Sequence, residues 1–252
     1  RLVGSEMCIR DRSSGPPDTY LTVDNQIESA TITQESIILA NTDNELTVRA
    51  LPWFHLPDSV PTWQAAIANT ELSTKVNKLV YGTLVINAEQ SSEIVIALLA
   101  DGSIHFWGQD NSALKRLAPI FNEPIQDIRI FSNQVFALTN SGQIIAWGGD
   151  AEATNQHLAT LPQIAKFASG QALAITTNGE LVHLESSIHL PDDLQPIIDA
   201  TTCEDQWWPG DSRQCTVVIQ QDGTTRAWGS QLLTPKYYEL QIQDAFEADI
   251  QP

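Results

Sequence analysis

A tight-turn signal followed five residues later by an aromatic-glycine pair recurs along this chain, and that recurrence limits its fold more than any single motif. Asp101-Gly102 leads to Trp107-Gly108, Asn140-Ser141-Gly142 to Trp147-Gly148, and Asp222-Gly223 to Trp228-Gly229. Asn178-Gly179 leads to Leu184-Glu185, a decayed copy. The turn glycines stand 40, 37 and 44 residues apart (142−102, 179−142, 223−179). A weaker copy at Asp43-Asn44 lies 58 residues before Gly102, which places an insertion in residues 52–74. Such a period means that one small supersecondary unit is stacked several times.

The residues around each turn say what the unit is. Ala97-Leu98, Ala137-Leu138, Ala174-Ile175 and Val218-Ile219 precede the turns, and Ile104, Ile144, Leu181 and Thr225 follow them. Apolar runs of strand length on both sides of an Asx-Gly pair predict a β-hairpin, because that pair supplies the positive φ of a tight turn. Prolines introduce further β-rich segments: Pro124 before Ile125, Pro162 ahead of Ile164, Pro196 before Ile197. Proline there costs no ladder donor. One unit is therefore three or four short antiparallel strands in about 40 residues, joined to the next by a polar connection. A sheet of that size has two apolar faces and needs neighbours on both; the radial solution is an all-β β-propeller. A helical solenoid has a similar period but would need two amphipathic helices per unit. The stretch 94–228 is expected to hold none.

The segments Ile164-Ala-Lys-Phe-Ala-Ser-Gly-Gln-Ala-Leu-Ala-Ile-Thr-Thr-Asn-Gly-Glu-Leu-Val182, Phe136-Ala-Leu-Thr-Asn-Ser-Gly-Gln-Ile-Ile-Ala-Trp-Gly148 and Ala97-Leu-Leu-Ala-Asp-Gly-Ser-Ile-His-Phe-Trp-Gly108 resemble the repeat of the regulator of chromosome condensation family. The resemblance runs over residues 26–250, through five copies and the opening of a sixth at Ile242-Gln-Asp-Ala-Phe246. It implies a degenerate, bacterial-type member with about five blades of an incomplete seven-bladed ring, and a role in binding other proteins. Two family features are missing. Gln171 and Cys215 stand where the family commonly places a His opening its second strand, and Gln109-Asp-Asn111, Gly149-Asp-Ala151 and Ser230-Gln-Leu232 replace the Gly-rich continuation. Exchange activity on a small GTPase is therefore not implied.

Residues 1–12 fall outside the pattern and resemble translated adapter sequence, so they are read as an artefact of assembly. Residues 13–25 are read as a linker or closing strand, and 26–252 as one propeller domain stopping inside a unit. The net charge is −18, which makes nucleic acid and anionic membrane poor partners, since phosphate binding needs a basic stripe. The longest apolar run, residues 94–100, is far too short to cross a bilayer.

Beyond residues 1–12, the cysteines are Cys203 and Cys215. In the repeat they occupy positions adjacent in the preceding unit, with residues 204–214 inserted between them. They would face each other at the neck of an enlarged hairpin, where a disulfide fits and would imply an oxidising, periplasmic or extracellular compartment. Two buried thiols are the alternative. Inside the insertion, Trp207 and Trp208 lie outside the repeating core positions, flanked by Asp205 and Asp211. Exposed tryptophans on a stapled loop are good anchors for protein or carbohydrate; folding back over the blade edge is the alternative. Trp107, Trp147 and Trp228 repeat with the unit and are read as inter-blade packing. Trp53, Phe54, His55 and Trp63 in the first insertion could cap an edge or bind a partner.

Catalytic residues, metal ligands and cofactors are not predicted. His55, His105, His157, His183 and His189 never adopt zinc-ligand spacing, and neither a serine elbow nor a phosphate-cradling loop is present. The sequence points to a non-enzymatic propeller binding an unknown protein partner through blade-edge loops. A carbohydrate-binding propeller is the alternative, followed by a hydrolase or lyase with its site in a central channel.

Overall fold

The computed structural model describes residues 27–33, 36–50, 62–149, 151–170, 172–185, 191, 194–208 and 211–229, with backbone alone at 50, 62, 203–208, 211–214 and 229. These form five three-stranded antiparallel sheets, each with its strands in sequence order. Blade 1 is β1 (Ile27–Ile32), β2 (Ser36–Asn41) and β3 (Leu46–Ala50); blade 2 is β4 (Val76–Asn87), β5 (Gln90–Leu99) and β6 (Ile104–Gly108). Blade 3 is β7 (Ile125–Phe131), β8 (Gln134–Thr139) and β9 (Ile144–Trp147). Blade 4 is β10 (Ile164–Phe167), β11 (Leu173–Thr176) and β12 (Leu181–His183); blade 5 is β13 (Ile197–Trp208), β14 (Asp211–Gln220) and β15 (Thr225–Gly229). Short helices α1 (Thr62–Ala68), α2 (Asn111–Leu117) and α3 (Ala151–Leu158) lie in connections. Residues 1–117 and 118–252 are two compact units, holding blades 1–2 and blades 3–5.

Each predicted turn joins the second and third strand of a blade. Gly102, Gly142, Gly179 and Gly223 have φ near +80° (80, 81, 80 and 84°), and Asn44 fills the same left-handed position at 67°. In the second unit these turns also fasten blades together. The Gly142 carbonyl accepts from Ile164 N–H at 2.9 Å and the Gly179 carbonyl from Ile197 N–H at 2.7 Å. A Cβ on Gly142 would meet the Ile164 carbonyl at 2.8 Å, and one on Gly179 would meet Pro196 at 2.9 Å. The residue ahead of each first strand supplies a carbonyl as well: Pro124 accepts from Asn140 and Pro196 from Gln221.

Strand alternation then buries both faces of a middle strand. On β11, Ala174 packs with Phe136, Leu138 and Phe167, whereas Leu173 and Ile175 pack with Ile197, Ala200 and Val218. One face meets blade 3 and the other blade 5. In the first unit Ile38, Ala40 and Leu46 of blade 1 close against Leu79, Val95, Ala97 and Trp107 of blade 2, with Ile67 of α1 filling between. Every first strand carries a register shift at its second residue, between Ile27 and Ser29, Val76 and Lys78, Ile125 and Asp127, Ile164 and Lys166, and Ile197 and Asp199. Such bulges raise local twist.

The expectation that 94–228 holds no helix is corrected by α2 and α3. Both helices open three residues after the glycine of Trp-Gly, in segments read as polar connections. Asp110 caps α2, its carboxylate accepting from Ala113 N–H at 2.9 Å and its carbonyl from Leu114 N–H at 3.1 Å. The helices cover what a fourth strand would otherwise protect. Asn155 of α3 exchanges two hydrogen bonds with the backbone of Ala146 on the outer strand β9, both at 2.8 Å. Buried polar pairs tie helix to middle strand: Ser36 Oγ donates to Gln64 Oε1 at 2.6 Å, and Thr154 Oγ1 to Gln134 Oε1 at 3.0 Å.

Candidate functional site

Blade 5 carries an insertion between its first two strands, β13 and β14. β14 pairs with β15 from Cys215 to Ile219, so residues 204–208 and 211–214 continue as paired strands past the end of the third strand. The register sets Cys203 opposite Cys215, Glu204 opposite Gln214, Asp205 opposite Arg213, Gln206 opposite Ser212, and Trp208 opposite Asp211 at the tip. Trp207 falls in the register shift between Gln206 and Trp208. Cys215 is disulfide-bonded. The backbone thus brings Cys203 to Cys215 and Trp208 to Asp211, but seats Asp205 across from Arg213 rather than beside Asp211. Asp205, Trp207, Trp208 and Asp211 have no described side chains, and Trp53, Phe54, His55 and His189 lie outside the described residues.

Blade 2 repeats this hairpin at the level of backbone. β5 pairs with β6 from Ile94 to Leu98, leaving residues 83–93 beyond the third strand, the same length as 204–214. Thr83 faces Glu93, Leu84 faces Ser92, Val85 faces Ser91, the register shifts between Val85 and Asn87, and Asn87 faces Gln90 at the tip. Position by position, Leu84 matches Asp205, Ile86 matches Trp207 and Asn87 matches Trp208. In blade 2 Leu84 is fully buried, whereas Ile86 is half-buried and Asn87 exposed. This hairpin is fastened along its length. Tyr81 donates its hydroxyl to Glu93, Asp110 N–H donates to Ser92 Oγ at 3.2 Å, and Gln109 N–H to the Glu93 carbonyl at 3.3 Å.

The other aromatic and imidazole side chains serve packing. Trp107 and Trp147 are buried; Trp107 donates Nε1–H to Thr70 Oγ1 at 2.9 Å, and Phe121 meets the Trp147 ring edge-on. Trp228 and Trp63 pack against the blade cores. His105 lies on the Trp107 ring, and burial, aided by Lys115, holds its pKa below the usual imidazole range. Burial also depresses His183, reinforced by His157 and opposed by Glu185, while His157 Nε2 contacts the His183 carbonyl at 3.0 Å. Among the described residues, no three His, Cys, Asp or Glu side chains converge on a common point.

A second polar feature lies at the Asx-Gly turns. Ser103 Oγ and N–H both donate to the Asp101 carboxylate, at 2.6 and 2.9 Å. Thr224 treats Asp222 likewise, at 2.7 and 2.9 Å, and Ser141 donates both groups to Glu123, at 2.6 and 3.0 Å. These hydroxyl donors hold all three carboxyls below their usual pKa, so they are ionised at neutral pH on the open surface. The residues responsible are the Asp-Gly-Ser and Asp-Gly-Thr sequences already in view, where a hydroxyl two residues after Asp signals the arrangement. The inner strands add an exposed ion pair, Lys166 Nζ to Asp199 at 2.9 Å, and a cation-π contact of Arg129 over Phe167 at 5.8 Å.

No family model matches the sequence, and no curated protein does. Solved structures do. The chain is similar to human WBSCR16 at 14% identity and a TM-score of 0.52, over 86% of this chain and 68% of that one. It is also similar to Prp20p from Saccharomyces cerevisiae, whose structure was reported with its binding properties to Gsp1p and histones. There the identity is 15% and the TM-score 0.48, over 81% of this chain and 58% of that one. The fold is that of a β-propeller of the regulator of chromosome condensation type.

Proposed function

We propose that this chain is a non-enzymatic propeller domain that binds another protein, with the β13–β14 hairpin as the contact element. One observation carries the reading: the hairpin runs past its third strand, and its twin in blade 2 leaves the positions matching Trp207 and Trp208 half-buried and exposed. Two adjacent tryptophans at such a tip offer large contact area at small entropic cost. Asp205 and Asp211 stand nearby in the hairpin's register, Asp211 opposite Trp208, and the net charge of −18 favours approach of a basic or polar partner. Cys203 is the partner we assign to Cys215, closing the hairpin at its neck and suiting the domain to an oxidising compartment.

The test is a Trp207→Ala/Trp208→Ala double variant, assayed by capture from a periplasmic or secreted extract alongside a glycan array. Loss of a captured protein with unchanged urea unfolding supports the reading. Retained capture with unchanged unfolding removes it, and binding to glycans alone transfers the hairpin to the carbohydrate reading.

A further inference from the structure

Blades 3 and 4 leave their first strands in different ways. In blade 3, β7 stays paired with β8 through Phe131 and Gln134, and Ser132-Asn133 turn the chain in the left-handed region. In blade 4, β10 leaves the ladder at Phe167, and residues 168–170 cross to blade 5. Ser169 N–H donates to the Ala200 carbonyl, and the Ser169 carbonyl accepts from Thr202 N–H, both at 2.9 Å. Ser169 is thereby set parallel to Thr201 of β13. A residue bonded to both chain neighbours of its partner is how a parallel ladder is built. Ala168 anchors the crossing, buried against Ile197 and Ala200.

The next residue brings main chain against main chain. Gly170 has a φ of +92°, and a Cβ on it would meet Thr202 Oγ1 at 2.0 Å, the Thr202 carbonyl at 2.9 Å and the Thr202 nitrogen at 3.0 Å. A rotated threonine side chain could clear the first of these contacts. The other two are backbone and could not be cleared without moving β13.

The place of this contact gives it a role. Thr202 immediately precedes Cys203, and β13 runs on from there into the extension at 204–208. The other edge of β13 pairs with β14, Thr201 facing Val217 and Thr202 facing Thr216. The strand is therefore held on both edges at the root of the hairpin, directly below the neck. A two-stranded ribbon is marginal by itself, so what holds its root sets where it points. In blade 2 the position of Thr202 is Tyr81, which donates its hydroxyl to Glu93 across its own hairpin. In blade 5 the hold comes from the preceding blade. We infer that Ser169 and Gly170 are positioning residues for the blade 5 hairpin, fixing the root of β13 and with it the direction in which the contact element leaves the sheet. This rests on the contact role proposed above for that hairpin, and it adds blade 4 as the source of its orientation. Ser169 and Gly170 are themselves exposed, so a change at either leaves the core between the two blades in place.

Residue-resolved hydrogen exchange on the intact, oxidised chain tests this. Gly170→Ala should make the amides of residues 204–208 exchange about 10-fold faster, as expected for the loss of two backbone hydrogen bonds. Residues 83–87 of blade 2 should keep their rate. Gly142→Ala is the matched control: its Cβ would meet the Ile164 carbonyl at 2.8 Å, also from the left-handed region, but at the joint between blades 3 and 4. It should leave 204–208 unchanged. Thr202→Pro removes the donor to Ser169 and keeps the donors to β14, since the Thr202 N–H already points to blade 4. It should reproduce the effect of Gly170→Ala. Unchanged exchange over 204–208 in a folded Gly170→Ala or Thr202→Pro variant overturns the inference, and so does equal acceleration in Gly142→Ala. The contact role itself fails separately, when the Trp207→Ala/Trp208→Ala variant keeps its captured protein.

Discussion

The hairpins of blades 2 and 5 share length, register, bulge position and tip pairing, yet they carry different residues. In blade 2 the extension is absorbed by the fold: Leu84 is fully buried, Tyr81 bonds Glu93, and the start of α2 is fastened to Ser92. In blade 5 the position of Leu84 holds Asp205, and the positions of Ile86 and Asn87 hold Trp207 and Trp208. The neck pair Gly82 and Ile94 is replaced by Cys203 and Cys215. The comparison teaches that one backbone device can carry quite different residues, packed inward in blade 2 and, in the function proposed above, offered to a partner in blade 5. Under that proposal, a polar residue in place of the buried leucine and the tie assigned between Cys203 and Cys215 are what let the blade 5 hairpin stand without the anchors of blade 2.

The largest effect that sharpens this contrast is expected at the buried leucine. Leu84→Ala should lower unfolding free energy in urea by about 3 kcal/mol, whereas Asp205→Ala should stay within about 0.5 kcal/mol. Equal losses at both positions would break the contrast. Next comes the neck. Cys215→Ser, or reduction of the unaltered protein, should cost about 2–3 kcal/mol and raise exchange in residues 204–214. Exchange in residues 83–93 should not change. The helix anchors follow: Ser36→Ala leaves the buried Gln64 Oε1 short of a donor and should cost about 1–2 kcal/mol in thermal or urea unfolding.

The smallest effect is with pH. Asp101, Glu123 and Asp222 have folded pKa values below their unfolded ones, so their contribution is complete above about pH 4 and is lost as pH falls through the folded values. His105 and His183 are also depressed, so the cost of protonating them sets in as pH drops below about 6.5. Urea midpoints measured from pH 8 to pH 3 should therefore decline in two shallow steps. A midpoint that rises on acidification contradicts both assignments.

The blade architecture was legible because its signals are local. The Asx-Gly turn needs a left-handed residue, and Trp-Gly recurs where an outer strand meets the next connection. The helices were not. At seven and eight residues they span too few turns to show apolar periodicity, and the only clue in α2 is Asp110 ahead of Ala113 and Leu114. The twin hairpins escaped for another reason. Residues 83–93 and 204–214 have a common register but almost no common chemistry, so the blade 2 extension was hidden within the 58-residue spacing and assigned wholly to residues 52–74. At the candidate site, the opposition of Cys203 and Cys215 could be read from repeat alignment. The seating of Asp205 across from Arg213 depends on strand register and could not.

The most direct test of an outward-facing blade 5 hairpin is hydroxyl-radical footprinting of the intact, oxidised chain, read residue by residue by mass spectrometry. Trp207 and Trp208 should be labelled rapidly, while Trp107 and Trp147, each 4% exposed, should resist. Protection of Trp207 and Trp208 to the level of Trp107 would contradict it, because both indoles would then be part of the packed fold rather than a surface held out for a partner.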